Sequence, residues 1–303
     1  MKKVGATLLC VWMLLATGNI AYGLEKEETY PVIIDRSAQT EAWPDFSFPE
    51  DAKLLEIWMP DIRDADAAIL MYEQDVWMID CGDERAARRL VILLNQLGIR
   101  KIDRIFNSHP HHDHLNGLEM TDAVAEVSEL LICFPEDATE HMKRAVAYAR
   151  EKGIRITSYG DGDRFAMGDG KVTLQIWQKR QEGFTINDLS AQTMVRYGNR
   201  SMLFTADMEK PGQRLLLAEV GPETLRADIL KYPHHGKLTL EDAFLEAVSP
   251  LMAVVTNYRQ FGESYRYLLS KNIPIVYTNR DKIFLHLITD GEHWLCEYVP
   301  MQK

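Results

Sequence analysis

Four histidines and one aspartate lie within six consecutive positions of the segment NSHPHHDHLNG, which spans residues 107–117. Imidazoles and carboxylates at this density are costly to bury unless a cation holds them together. In an extended loop, His109 and His111 can point to the same side and share one metal ion. After a local bend, Asp113 and His114 can face a second ion. Nitrogen and oxygen donors of this type suit zinc, and manganese or iron nearly as well, so the segment predicts a metal site rather than a solvated turn.

The flanking segments predict the elements that must position this loop. Apolar runs at 54–59, 67–72 and 76–80 are typical of strands, and KIDRIFNSH predicts a strand that ends at the His-rich loop. Helices are predicted over ERAARRLVILLNQLG, from Gly117 onward, over PEDATEHMKRAVAYAREKG with Pro135 near its start and Gly153 at its end, and over 210–220. Strands dominate after Ile154. Two halves that each mix strands with helices predict an α/β fold, an αββα sandwich of two mixed sheets with outer helices.

The His-rich loop resembles the signature of the metallo-β-lactamase superfamily and matches it in full. VWMIDCG resembles the family's early strand that ends in an Asp, SMLFTAD resembles a later strand that ends in an Asp, and LKYPHHG resembles the later His motif, usually P-H-H-G-S. NDLSAQTMVRYGNRSMLFTAD and IPIVYTNRDKIFLHLITDG are similar to the hydrolase domain of ComEC-type competence proteins and their stand-alone relatives. The resemblance covers roughly residues 52–299 and implies the metallo-β-lactamase fold.

The resemblance also implies a role for each matching side chain. The implied metal ligands are His109, His111, Asp113, His114, Asp207 and His235. The first two would hold one ion, and Asp207 would bridge both ions. Either His234 or His235 could be the last ligand of the second ion; we favour His235, with His234 as a catalytic neighbour that hydrogen-bonds the substrate or donates a proton. Asp113 could also accept the proton of the nucleophile, and Asp80 would support the ligands.

The sequence departs from the family pattern at several positions. Many superfamily enzymes place another His on the first metal, but no His occurs between His141 and His234. That stretch carries Asn187 and Ser190, as in the ComEC-like pattern; Asn187 or Asp188 could complete the metal shell, touch the substrate or serve only in a turn. The missing ligand favours a labile first metal or a manganese site. T-A-D replaces the usual T-G-D, HHGK lacks the usual Ser, and YRQFGES lacks a His that the ComEC-like pattern often carries.

The N-terminus predicts export. Residues 1–23 combine Lys2 and Lys3, an apolar run over 4–16 and a small-residue ending at Gly23, which is typical of a secretory signal. An uncleaved anchor is the alternative, although the apolar run is short for a span of about 20 residues. We expect a signal peptide over 1–23, an irregular leader over 24–50 and a hydrolase domain over 51–303. Cys81, Cys133 and Cys296 follow no metal or disulfide spacing and are expected to be buried.

The charge constrains the substrate. The chain carries a net charge of −11, and loss of the first 23 residues would make it −13. An acidic surface disfavours long nucleic acid. We therefore expect an exported hydrolase in which two divalent ions activate a water molecule to attack a small or envelope-borne phosphodiester. Zn2+ is the favoured metal and Mn2+ the alternative. Long nucleic acid is a less favoured substrate, and no stable protein partner is expected. A lactonase or other carbonyl ester hydrolase is the alternative enzyme, and a metal-binding surface interaction protein is the alternative from another class.

Overall fold

The structure is a computed structural model that describes residues 14–15, 18–19, 32–34, 47–85, 87–258, 263–279 and 283–302. The predicted signal segment and leader lie outside the described residues, except for three short strands and residues 47–50. Among the described residues, no helix combines the length and the apolar character that crossing a membrane requires. The described segments are sufficient to define two large sheets and the helices around them.

The strands are β1 (Leu14–Leu15), β2 (Gly18–Asn19), β3 (Val32–Ile34), β4 (Leu55–Met59), β5 (Ala67–Tyr72), β6 (Asp75–Cys81), β7 (Lys101–Ile102), β8 (Arg104–Asn107), β9 (Glu126–Val127), β10 (Glu129–Ile132), β11 (Arg155–Ser158), β12 (Arg164–Met167), β13 (Val172–Trp177), β14 (Gln192–Tyr197), β15 (Arg200–Phe204), β16 (Ile229–Lys231), β17 (Met252–Tyr258), β18 (Ile275–Asn279), β19 (Ile283–Thr289) and β20 (Trp294–Pro300). The helices are α1 (Ala87–Gln96), α2 (His112–Leu115), α3 (Leu118–Asp122), α4 (Glu140–Lys152), α5 (Lys210–Val220), α6 (Pro222–Leu225), α7 (Asp242–Val248) and α8 (Ser264–Ser270), with a 3-10 turn at Pro233–Gly236.

Both large sheets mix parallel and antiparallel neighbours. The nine-stranded sheet has the order β11-β10-β8-β6-β5-β4-β19-β20-β3, and β6, β8, β10 and β11 run parallel. The seven-stranded sheet has the order β12-β13-β14-β15-β16-β17-β18 and becomes parallel from β15 onward. The described residues also form two sheets of two strands each, β1-β2 and β7-β9. The carboxyl ends of parallel strands meet at one edge of a sheet, which is where α/β proteins place their sites.

The alternation of side chains along β15 shows how the layers pack. Met202 and Phe204 belong to the core shared with the nine-stranded sheet, whereas Leu203 packs with helix residues such as Leu216 and Phe244. A period of two sends successive side chains to opposite faces, so each face of this sheet is covered, one by the other sheet and one by helices. The predicted αββα sandwich of two mixed sheets is therefore confirmed. All three described cysteines are buried, as expected.

Some boundaries differ from the predictions. The helix predicted from Pro135 begins at Glu140, because the Thr139 side chain accepts a hydrogen bond from Met142 N and caps it there. It ends, as predicted, at Gly153, which adopts a φ of 75°. The leader predicted as irregular contains β3, which pairs with β20.

Candidate metal centre

The proposed ligands lie on segments that follow β8, β15 and β16, and the supporting Asp80 lies near the end of β6. β6 and β8 are parallel, with Ile79 opposite Phe106, so Asp80 lies beside the start of the His-rich loop. In the other sheet, β15 and β16 are parallel, with Phe204 opposite Lys231. Asp207 and the PHHG turn therefore leave their strands side by side, and His234 N donates a hydrogen bond to Ala206 O at 3.0 Å. The site lies where the carboxyl ends of these two strand pairs face each other across the sandwich.

The His-rich loop has the two conformations that its ligand pattern requires. His111 is extended, with φ −86° and ψ 156°, and the chain then forms the single helical turn α2. His109 Nε2 consequently lies 3.0 Å from His111 Nδ1, while Asp113 and His114 are turned toward the other side of the centre. The local bend predicted after His111 is this helical turn.

The Nε2 atoms of three fully buried histidines converge on Asp207. Oδ1 of Asp207 lies 3.2 Å from His114 Nε2, and Oδ2 lies 3.6 Å from His235 Nε2 and 3.8 Å from His109 Nε2. Asp113 Oδ2 lies 3.2 Å from His235 Nε2. The structure thus brings together residues that are up to 126 positions apart, and it places Asp207 in the central position that the resemblance implies for a bridging carboxylate.

The second ring nitrogen of each of these histidines is held by another polar group. Nδ1 of His114 lies 2.7 Å from Asp80 Oδ2, and Asp80 also accepts hydrogen bonds from the backbone N and Oγ of Ser108 at 2.7 Å. Nδ1 of His109 lies 3.1 Å from Ser108 Oγ. Nδ1 of His235 lies 3.1 Å from Asp66 Oδ1. Partners of this kind fix the orientation and tautomer of metal-binding imidazoles, so the Nε2 atoms are left to face the centre.

The donor set fits divalent cations. The donor atoms form two groups, and within each group all of them lie within 4.8 Å of one another. One group is His109, His111 and Asp207, and the other is Asp66, His114, Asp207 and His235. Among the described residues, His114 Nε2 and Asp207 Oδ1 are buried without a hydrogen-bond partner, although they lie only 3.2 Å apart. Buried polar atoms normally have partners, and an ion between these donors would supply one.

The electrostatics of the centre also favour a cation. Burial lowers the pKa of His109 well below its usual value, which keeps this imidazole neutral. Burial also lowers the pKa of His114, but the Asp207 and Asp80 carboxylates together outweigh burial and hold that pKa well above the usual value. For His235 burial is likewise outweighed by Asp207 and Asp66, which raise its pKa to about 9. The negative potential that raises the pKa of these two rings would also attract a divalent ion.

The other predicted site residues lie around the centre. His234 is partly exposed, with Nε2 3.8 Å from Asp207 Oδ2 and Nδ1 3.6 Å from Glu209 Oε1. Asn187 Nδ2 donates to the same Glu209 oxygen at 3.1 Å, so this residue lies at the margin of the site. Ser190 is buried, and its carbonyl accepts a hydrogen bond from Gln192 Nε2 at 2.5 Å. His235 is fully buried and belongs to the group of donors that includes His114 and Asp207, whereas His234 lies at the margin of the centre.

Asp188 serves the loop rather than the centre. Its Oδ1 accepts a hydrogen bond from Gly212 N at 2.9 Å and its Oδ2 one from Thr185 Oγ1 at 3.1 Å. His112 is exposed, and its Nδ1 lies 3.6 Å from Asp83 Oδ2. Ala206, at the position where the family usually has Gly, adopts a φ of 47°.

Sequence reasoning missed Asp66 and Thr256, which each lie 3.1 Å from Nδ1 of His235, and Lys231, which pairs with Asp66. Asp66 precedes β5 in the segment RDADAA, where an Asp is an ordinary turn residue. Lys231 gave a stronger signal, because a lysine inside the apolar run DILKYP of a central strand is only tolerated when an anion pairs with it.

The chain is similar to known proteins in sequence and in fold. The family model described as Metallo-beta-lactamase superfamily matches residues 66–251. Competence protein ComA of Neisseria gonorrhoeae is 24% identical over 232 residues, which cover 72% of this chain but only 29% of that protein. Among solved structures, the YhfI metallo-beta-lactamase fold protein from Bacillus subtilis is 11% identical, with a TM-score of 0.46 over 74% of this chain and 96% of its own. A Cronobacter sakazakii metallo-beta-lactamase with a HARLDQ motif is 18% identical, with a TM-score of 0.42 over 57% and 76% of the two chains.

Proposed function

Because the chain belongs to the metallo-beta-lactamase superfamily, we propose that it is a metal-dependent hydrolase and that it cleaves phosphodiesters. The observation that supports the hydrolase most strongly is the convergence of three buried imidazole Nε2 atoms on Asp207, at 3.2 to 3.8 Å. Each of these imidazoles is held from behind by a hydroxyl or carboxylate, so the centre is organised in advance of any ligand.

The roles of the residues follow from their positions. We assign His109 and His111 to one ion, Asp113, His114 and His235 to the other, and Asp207 to both. Two divalent ions held there would lower the pKa of a bound water to about 7 and polarise the bond to be cleaved. Asp113 can hold the proton that leaves the water, and the partly exposed His234 can hydrogen-bond the substrate or protonate its leaving group.

Charge supports an anionic substrate. The two ligand carboxylates, Asp113 and Asp207, balance only half of the positive charge of two divalent ions, so the loaded centre attracts an anionic group such as a phosphodiester. The similarity to a competence protein agrees with the ComEC-type motifs. The net charge of −11 disfavours a long polyanion, so the proposed substrate is a small or envelope-borne phosphodiester.

Metal analysis combined with a substrate panel tests this proposal. The purified protein should contain two Zn2+ or Mn2+ ions and hydrolyse bis-p-nitrophenyl phosphate but not a lactone, and a chelator should abolish turnover. His111→Ala should lose metal and activity while the protein remains folded. His293→Ala, which changes an exposed histidine beside Asp290, is the matched control and should retain both.

The alternative functions give different results in the same assays. Turnover of the lactone without the phosphodiester would identify a carbonyl ester hydrolase. Metal binding without turnover of phosphodiesters, lactones or thioesters would favour a metal-binding interaction protein. Full activity of His111→Ala would contradict the assigned centre.

We also propose that the chain is exported. The basic start, the apolar run and the small-residue ending of residues 1–23 support this proposal. Mass spectrometry of the protein recovered from the producing cell should show an N-terminus at Leu24. A chain that keeps residues 1–23 and remains inside the cell would contradict export.

A further inference from the structure

A buried ion pair lies directly behind His235. Asp66 and Lys231 are 5% and 2% exposed, and the Lys231 ammonium pairs with Oδ2 of Asp66. The same ammonium donates to Ala206 O at 3.3 Å. A buried charge without a partner is strongly unfavourable, so each of these two residues depends on the other.

Oδ1 of Asp66 contacts the Nδ1 side of the His235 ring. Oδ1 accepts a hydrogen bond from Thr256 Oγ1 at 2.5 Å and lies 3.1 Å from His235 Nδ1. Thr256 Oγ1 itself lies 3.1 Å from the same ring nitrogen. The proposed ligands Asp113 and Asp207 approach His235 from its other nitrogen, Nε2, at 3.2 and 3.6 Å.

This arrangement separates two possible roles of Asp66. As a metal ligand, it would share an ion with His114, Asp207 and His235, whose donor atoms lie within 4.8 Å of its own. However, its Oδ2 already pairs with an ammonium, which repels a second cation. Its Oδ1 is occupied by Thr256 and His235 on the Nδ1 side of the ring.

We propose that Asp66, neutralised by Lys231, is a positioning residue that holds the His235 ring with Nε2 toward the ions and is not itself a ligand. The inference rests on the metal centre proposed above. A carboxylate that accepts the Nδ1 proton fixes the tautomer in which Nε2 carries the free lone pair. The lysine makes this support neutral as a pair, so the centre gains orientation without a further negative charge.

Metal binding by a paired variant tests the inference. Asp66→Ala combined with Lys231→Met removes both charges without adding volume at this buried position, and it avoids leaving either charge buried alone. Zinc titration against a chromophoric chelator should show two sites in the wild type. In the double variant one site should keep its affinity within threefold, and the other should weaken by about 10- to 100-fold.

The matched control is Glu129→Gln, which changes another buried carboxylate that is paired with two arginines, Arg104 and Arg155, at 3.0 Å each. It should leave both zinc affinities unchanged. Unchanged affinities in the double variant, with two ions bound by the wild type, would overturn this inference alone. A wild type that binds no divalent ion would overturn the proposed centre and this inference together.

Nitrogen-15 NMR of the zinc-loaded wild type gives a second readout that needs no variant. His235 should show a slowly exchanging proton on Nδ1 and a metal-shifted Nε2. A protonated Nε2, or a zinc ion on Nδ1, would refute the proposed positioning of the ring.

Discussion

Gly117 allows the chain after the His-rich loop to cross the end of β6 in direct contact. Its N donates a hydrogen bond to Gly82 O at 3.0 Å. A Cβ built on Gly117 would lie 1.8 Å from the backbone oxygen of Cys81, the residue after Asp80. Gly117→Ala is therefore the perturbation that tests whether the loop and the strand are packed as closely as described.

Two effects of Gly117→Ala oppose each other. Gly117 has a φ of −75°, which alanine adopts freely, so the lower entropy of the unfolded variant would stabilise the fold by about 0.4 to 1 kcal/mol. The clash requires the two backbone segments to separate by about 1.5 Å, and overpacking of this kind costs about 1 to 3 kcal/mol or more. Because the added Cβ and the Cys81 oxygen are both attached directly to the backbone, neither can move away by a side-chain rotation. We therefore expect the free energy of unfolding to fall by about 2 kcal/mol.

Urea unfolding of the chelator-treated protein measures this loss without a contribution from bound metal. Gly160→Ala is the matched control, because Gly160 has no positive φ and its added Cβ would lie 3.6 Å from Gln178 Oε1, an ordinary contact. It should change the free energy of unfolding by less than about 0.5 kcal/mol. If Gly117→Ala is as stable as the wild type, the close approach to Cys81 is wrong.

Ala206→Gly should raise the free energy of unfolding in urea by up to about 1 kcal/mol, because the left-handed φ of Ala206 strains a residue with a Cβ; a lower value would refute this. His286→Gln should lower stability by about 1 to 3 kcal/mol, most strongly between pH 4.5 and 6.5. Burial lowers the pKa of His286, but Glu297 and Glu56 outweigh it, so the contribution of the raised pKa is complete below 6.5 and is lost as pH rises through the folded value. The hydrogen bond to His286 lowers the pKa of Glu56, so the contribution of Glu56 to the free energy of unfolding is present above pH 4.5 and is lost as pH falls through the folded pKa. Urea unfolding at a series of pH values should therefore show the largest effect of the substitution between pH 4.5 and 6.5, and a uniform effect would contradict the pairing. Zinc at 100 times its dissociation constant should stabilise the chelator-treated protein by about 2.7 kcal/mol, and no shift in the unfolding midpoint would argue against an ion site.

Much of the fold was predictable because its periodic segments are long. The helix predicted over 210–220 is observed at Lys210–Val220. The start of α4 was missed, because a proline at 135 predicts a helix start equally well from sequence, and only the Thr139 hydrogen bond decides between the positions.

In the candidate site, too, the residues that follow a local pattern were predicted and those that depend on long-range contacts were missed. The ligand loop carries its pattern within six positions, so local spacing is sufficient to predict it. Asp66 and Lys231 are 165 positions apart, and neither belongs to a recognisable spacing. Their contact depends on how the two sheets pack against each other, and no single segment of the sequence predicts that packing.

The centre draws its side chains from both sheets, from Asp80 beside β8 to His235 beyond β16. The proposed centre can form only after the two halves of the chain have closed on each other, so an ion would bind there only after most of folding. Ion choice then depends on which cations are available where that closure happens. An ion bound at the proposed centre would thus identify the compartment in which the protein matured.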